Sequence, residues 1–230
     1  MRELVVAENP SSVVSESIKN VRTNLLFSEV DKDIKSVLVT SSVPSEGKSF
    51  IAANLALSFA QLDKRVLILD CDMRKGRQHE LFNVSNFVGL SNLLLEDLTG
   101  TKKELEGVYS NYVVNTKYKK LDIVSSGFYP PNPSDMLSSA KFERILNDLS
   151  KTYDIVIIDG APLAYLSDSL EIAKVVDKIV MVTSIDETPK DVLEDSVKKI
   201  NSFKDKIAGV VVNKIELKKE NNYYYKKEGK

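Results

Sequence analysis

The run Ser42-Val43-Pro44-Ser45-Glu46-Gly47-Lys48-Ser49 carries the strongest chemical signal in the chain. It lies between a short apolar run (SVLVT, 36–40) and a helix-forming stretch, which is the setting a phosphate-binding loop requires. It follows that loop's pattern except that Ser42 stands where the first glycine would be. Backbone N–H groups of such a loop, and of the helix N-terminus behind it, wrap a β-phosphate. Gly47 lets the backbone approach closely, Lys48 neutralises β/γ-phosphate charge, and the Ser49 hydroxyl suits Mg²⁺. Ser42, Pro44, Ser45, Glu46, Gly47, Lys48, Ser49 and Phe50 are therefore the candidate phosphate-binding residues, with ATP and Mg²⁺ the expected ligands.

Two further apolar runs end in aspartate. VLILD closes on Asp70 with Asp72 just beyond, and IVIID closes on Asp159. Carboxylates at such strand ends share one rim with the phosphate loop, where they hold Mg²⁺ directly or through its waters. One Mg²⁺ needs few protein carboxylates, so one aspartate is left over to meet an incoming hydroxyl. An aspartate of pKa about 3.9 is a weak base toward a phenol of pKa about 10. Phosphoryl transfer is largely loose, however, and orientation of the nucleophile is the larger task. Asp70 is read as the base or orienting group, with Lys48 and Asp72 beside it in the catalytic set, and Asp72, Asp159 and Ser49 as Mg²⁺ ligands. The aspartate roles can be exchanged.

The elements that must position these residues are legible in outline. Strands are expected at 36–40, 65–70, 121–125, 153–159, 178–183 and 208–213, most of them apolar throughout, as parallel strands buried on both faces are. Helical patterns near 11–29, 48–62, 134–151, 167–176 and 188–203 alternate with them. The expected fold is α/β: a doubly wound, mostly parallel sheet of the phosphate-loop NTPase type with deviant Walker motifs, its ligands at the carboxyl ends of the strands. Residues 74–120 read as short helical pieces among polar loops. Residues 1–213 form the expected catalytic domain, and 214–230 a flexible tail.

Composition narrows the class. A net charge of −1 gives no general case for nucleic-acid binding. The single cysteine, Cys71, excludes an internal disulfide and a cysteine-held cluster within one chain. No apolar run reaches the roughly 18 residues of a membrane helix, so a cytoplasmic location is the default, with membrane attachment through a partner left open. Thr40-Ser41-Ser42-Val43-Pro44 lacks the early lysine of Min/Par-type ATPase switches, the alternative reading. Asn213, at the end of the last expected strand, reads as an adenine contact or simply as a strand end before a polar tail. Arg74, Lys75 and Arg77 form a basic patch after Asp72, either a solvated face or the source of one arginine contact to phosphate or a partner carboxylate.

These residues resemble the bacterial tyrosine kinases of capsule and exopolysaccharide synthesis. The likeness covers Glu8-Asn9-Pro10, the stretch from Arg22 to Phe27, the phosphate loop with Pro44 inside it, and Asp70-Cys71-Asp72-Met73-Arg74. It continues through His79, Phe82, Gly127, the Pro130–Pro133 run, the strand ending at Asp159 and the final tyrosines. The resemblance implies ATP-dependent tyrosine phosphorylation, with autophosphorylation between subunits of a homo-oligomeric ring. It also implies an activating membrane-spanning partner acting through its cytoplasmic tail, a protein-tyrosine phosphatase, and protein substrates in polysaccharide synthesis. The helix at 11–29 becomes the expected oligomer interface, through Glu16, Lys19 and Arg22. Two departures stand out. Lys19 takes the place of an arginine and cannot make its bidentate fork. Gly160-Ala161-Pro162 replaces Thr-Pro-Pro after Asp159.

Tyr223, Tyr224 and Tyr225 are three of nine tyrosines and lie in the most polar segment, as expected of phosphoacceptors. Ten residues from Asn213 to Tyr223 span at most about 35 Å, enough to reach a neighbouring subunit. Residues 214–230 hold six Lys and three Glu. Three phosphates would add about −5 to −6 charges and reverse the attraction of that tail for an acidic rim.

Overall fold

The computed structural model describes residues 3–29, 33–164, 166–184 and 187–216. In chain order its elements are α1 (Val5–Glu8), α2 (Val13–Phe27), β1 (Ser36–Ser41), α3 (Lys48–Ala60), β2 (Val66–Asp70), α4 (Gln78–Phe82), α5 (Leu90–Leu93), α6 (Lys102–Ser110) and β3 (Val114–Asn115). They continue with β4 (Leu121–Val124), α7 (Pro133–Leu137), α8 (Ala140–Thr152), β5 (Ile155–Asp159), α9 (Asp168–Val175), β6 (Lys178–Ser184), α10 (Lys190–Ile200), a 3-10 turn at Asn201–Lys206 and β7 (Ile207–Asn213).

The strands form one seven-stranded sheet in the order β3-β4-β2-β5-β1-β6-β7. All pairings are parallel except β3 with β4. Successive side chains of a strand point to opposite faces, and here both faces are apolar. Leu38, Leu67 and Leu69 enter one core with Phe142, Ile145 and Ile172 of α8 and α9. Val37, Val39, Val66 and Ile68 enter the other with α1, α2 and α3. This is the doubly wound sheet expected from the uniformly apolar runs. Among the described residues no helix is long and apolar enough to cross a membrane.

α3 shows how the fold serves the loop. It is buried on nearly all sides, being covered by the sheet and by the amino-terminal helices. Its buried Asn54 holds the amino-terminal segment: Oδ1 accepts from Val6 N at 3.0 Å, and Nδ2 donates to the carbonyls of Glu3 at 2.8 Å and Phe50 at 2.9 Å. The loop is thus backed by a helix that cannot shift without disturbing both layers.

Several boundaries differ from the sequence reading. The helix expected at 134–151 is two helices, because Ser139 is extended at ψ 148° and its hydroxyl accepts from Phe142 N, capping α8. The pattern at 188–203 ends as α-helix at Ile200 and tightens into the 3-10 turn. α1 and the antiparallel β3 were not expected. Tyr223, Tyr224 and Tyr225 lie outside the described residues.

The departure after Asp159 has a packing cause. A Cβ at Gly160 would lie 2.5 Å from Ser169 Oγ and 2.6 Å from Leu38 Cδ1. Gly160→Thr is expected to lower stability in urea unfolding by about 1–3 kcal/mol through overpacking. Ser169→Ala in the same background should recover part of it, with a double-mutant coupling of at least about 0.5 kcal/mol. Strict additivity would show that the two positions do not compete for space.

Candidate active site

Sheet order brings the chemistry together. β2, β5 and β1 are consecutive neighbours, so Asp70 and Asp159 stand opposite each other in register at the carboxyl ends of their strands. β1 runs into the loop at the same rim. Within the loop Ser45 (φ 70°) and Gly47 (φ 97°) are left-handed, the kind of backbone that turns successive N–H groups into an anion nest.

The loop is braced from three directions. The Glu46 carboxylate points inward and is fully buried. Its Oε2 accepts from Val43 N at 2.7 Å, and its Oε1 accepts from Ser184 N at 3.3 Å and from the Thr188 hydroxyl. Asn213 Nδ2 donates to the Glu46 carbonyl at 2.8 Å. A Cβ at position 47 would lie 2.1 Å from that same nitrogen, so glycine is required there by contact as well as by φ. Asn213, expected at the base of the nucleotide, is thus built into the loop.

A cleft of about 300 Å³ opens over this rim, lined by Pro44, Ser45, Gly47, Lys48, Ser49, Phe50, Asp72, Arg74, Lys75 and Arg77, with Pro162 and Leu166 opposite. Six of the eight expected phosphate-binding residues line it. Glu46 faces the interior instead, and Ser42 is fully buried, its hydroxyl unpaired among the described residues. A larger cavity, about 560 Å³, lies around Leu25, Phe59 and Asp154 and holds none of this chemistry.

Inside the cleft Lys48 Nζ is 2.7 Å from Asp72 Oδ2 and 3.4 Å from Asp159 Oδ1, and it donates to Ser49 Oγ at 3.3 Å. Burial opposes the ammonium charge, but Asp159 and Asp72 more than offset it and hold the Lys48 pKa above its ordinary value. Asp70 lies behind this pair. It is fully buried, and its Oδ1 accepts from Asp72 N at 3.2 Å while its Oδ2 accepts from Gln78 N at 3.0 Å. Desolvation, reinforced by the Asp159 charge, pushes the Asp70 carboxyl well above the usual carboxylate range. The carboxylate on the cleft wall is Asp72.

Arg74 Nε donates to Asp168 Oδ2 at 2.9 Å, and Arg74 also donates to the Tyr129 hydroxyl at 3.3 Å. The buried Asp168 takes a further bond from the Ser134 hydroxyl. The expected interface residues stand apart on α2. Lys19 pairs with Glu16 at 2.7 Å and donates to the Pro10 carbonyl at 2.9 Å. Arg22 donates to the Ser58 carbonyl at 2.6 Å, ten residues along α3 from Lys48 and so about 15 Å away.

The AAA-domain family profile matches residues 35–212. The tyrosine-protein kinase YwqD of Bacillus subtilis is 36% identical over 224 residues, which is 97% of this chain and 91% of YwqD. CapB of Staphylococcus aureus, which also carries a tyrosine-protein kinase name, is 35% identical over 222 residues, 96% of this chain and 93% of CapB. The chain belongs to the bacterial tyrosine kinase family. The crystal structure of the chimerical protein CapA2B2 superposes on this kinase with a TM-score of 0.86 at 35% identity, covering 94% of this chain and 92% of that one.

Sequence reasoning missed Gln78, whose side chain reaches into the aspartate cluster, and the bracing of the loop by Ser184 and Thr188. Nothing in the run Gly76-Arg77-Gln78-His79-Glu80 marks Gln78 as special.

The burial of Asp70 in this kinase has a pH signature. Folding raises its pKa, so the penalty on the folded state is absent below the ordinary value of 3.8. It grows as pH rises from that value toward the folded one and is constant above it. Asp70→Asn does not titrate. In urea unfolding of the nucleotide-free protein its stability relative to wild type should therefore improve as pH rises above about 4. A difference that does not change with pH would contradict the desolvation of Asp70.

Proposed function

We propose that this kinase transfers the γ-phosphoryl group of Mg-ATP to Tyr223, Tyr224 and Tyr225 of a neighbouring subunit, and thereby controls capsular or exopolysaccharide assembly. The observation that carries the reading is Lys48 held 2.7 Å from Asp72 and 3.4 Å from Asp159 on a phosphate-loop cleft.

The residues fit Mg²⁺ bound together with a nucleotide. Three carboxylates, Asp70, Asp72 and Asp159, gather around one ammonium, and a divalent cation would take up the excess negative charge. Among the described residues no three Asp, Glu, His or Cys groups form a ready metal cage. That agrees with an ion which keeps several waters and takes the rest of its shell from phosphates. Ser49, Asp72 and Asp159 would hold it, and it would neutralise charge on the phosphate oxygens.

The remaining roles fall to this chain's own groups. Pro44, Ser45, Gly47 and Lys48 would bind the phosphates. The tyrosine oxygen attacks the γ-phosphorus, the bond to the β–γ bridging oxygen breaks, and ADP leaves. The phenol proton passes to the carboxylate on the cleft wall. Asp72 lines the cleft and Asp70 does not, so Asp72 takes over the base or orienting role first assigned to Asp70, beside its Mg²⁺ role. Asp70 would then fix the backbone of Asp72 and Gln78. Asn213 would brace the loop.

In this reading residues 1–213 form the catalytic domain and 214–230 the acceptor tail. Glu16, Lys19 and Arg22 contribute to a homo-oligomeric ring. A membrane-spanning activator holds the kinase at the inner face of the membrane, and a protein-tyrosine phosphatase resets the tail. Nucleic acid is not a partner.

The test is phosphosite mapping by mass spectrometry after incubation with Mg-ATP and the cytoplasmic segment of a candidate activator, beside Lys48→Met. Phosphate on Tyr223–Tyr225 is expected in the wild type, with a loss of at least about 100-fold in the variant, as follows from removing a charged phosphate contact. ATP hydrolysis without phosphotyrosine in the presence of the activator would overturn the autokinase reading.

A further inference from the structure

Gln78 is the first residue of α4 and is fully buried. It touches all three segments that build the site. Its backbone N–H donates to Asp70 Oδ2 at 3.0 Å, at the end of β2. Its side-chain Nε2 donates to Asp159 Oδ2 at 2.8 Å, at the end of β5, and to the Ser49 carbonyl at 3.0 Å, in the first turn of α3.

Asp159 is thereby held from two sides, since its other oxygen faces Lys48 at 3.4 Å. A carboxylate with one donor on each oxygen cannot rotate freely, so its plane is fixed with one oxygen toward Lys48. The bond to the Ser49 carbonyl fixes the turn that carries the Ser49 hydroxyl.

The choice of side chain is informative. Gln78 Oε1 has no hydrogen-bond partner among the described residues, and an unpaired buried acceptor costs about 1–3 kcal/mol. An apolar filler of the same length would avoid that cost, so space-filling does not explain the amide. Glutamate would add a fourth carboxyl group to the cluster, and lysine would compete with Lys48 for its carboxylates. A carboxamide is the long side chain that offers two hydrogens and no charge.

We infer that Gln78 is a positioning residue for the metal-dependent step: it orients the Asp159 carboxylate and the Ser49 turn to receive Mg²⁺ together with the nucleotide. This rests on the Mg-nucleotide reading given above. Gln78 is fully buried and does not line the cleft; it acts through Asp159 and Ser49.

The test compares the full chain with Gln78→Met, which keeps length without donors, and Gln78→Asn, which keeps the amide but is too short to span both acceptors. The probe is a fluorescent ADP, titrated in EDTA and again in Mg²⁺, with thermal melting of the free proteins in parallel. Affinity in EDTA is expected to stay within about 2-fold of wild type, because Gln78 bonds to Ser49 alone in the loop, through its carbonyl. The tightening produced by Mg²⁺ should fall by about 10- to 100-fold in both variants, the usual effect of losing a partner that orients a metal ligand. In turnover, kcat should fall more than the KM for ATP rises. Variants that melt as folded proteins and show the wild-type Mg²⁺ effect would overturn the inference, since a merely structural glutamine would change melting alone. A wild type without Mg²⁺-linked ADP binding would instead overturn the nucleotide reading itself.

Discussion

The structure depends on keeping one ammonium charged in a place that water hardly reaches. Removing an ion from water costs several kcal/mol even after relaxation, and Lys48 is buried. It is held by Asp72 at 2.7 Å and Asp159 at 3.4 Å, both almost wholly enclosed. Such pairs seldom stabilise a fold more than apolar packing would, so stability does not account for the arrangement. In the proposed function its value lies in being exchangeable: a phosphate would take over the ammonium, and a divalent cation the carboxylates. The two partners come from β5 and from the loop after β2, so the exchange couples the phosphate loop to two strand ends.

Everything around that cluster removes freedom from it. A parallel sheet buried on both faces has only its rims available for polar chemistry. The order β2-β5-β1 makes three adjacent strands end at one of them. Glu46 is turned away from the cleft to tie Val43 to Ser184 and Thr188, and Asn213 closes the loop from the end of β7. An anion nest of backbone N–H groups works because it is prepared in advance. These braces, drawn from the last third of the described chain, are what prepare it.

The sequence was readable where its signals were local and repeated. Apolar runs ending in Asp70 and Asp159 gave the strands and the rim, and Pro44, Gly47 and Lys48 gave the loop. It was unreadable where a residue's role depends on partners far along the chain. Gln78 bonds to Asp159 across 81 residues, and no motif announces that. Asp70 and Asp72 look equivalent in sequence, and only the fold encloses one and leaves the other on the cleft wall. The helix expected through 134–151 failed for a different reason. Its periodicity is intact, but Ser139 competes for the backbone and caps a second helix. α4 and α5 are too short to show any period.

The replacement of Thr-Pro-Pro by Gly160-Ala161-Pro162 follows the same logic of compensation. A Cβ at position 160 would meet Ser169 Oγ at 2.5 Å, so the space a threonine would need is filled by a hydroxyl from α9. That hydroxyl donates to the Ala161 carbonyl at 2.6 Å, and Thr40 of β1 donates to the same oxygen at 2.8 Å. The chain leaving Asp159 is therefore held by two hydroxyl donors from neighbouring elements, and Gly160 N is fixed to the Val39 carbonyl at 2.9 Å. What the loop loses in side chain it recovers in fixed backbone. Asp159 keeps its direction toward Lys48 because the residues behind it cannot move.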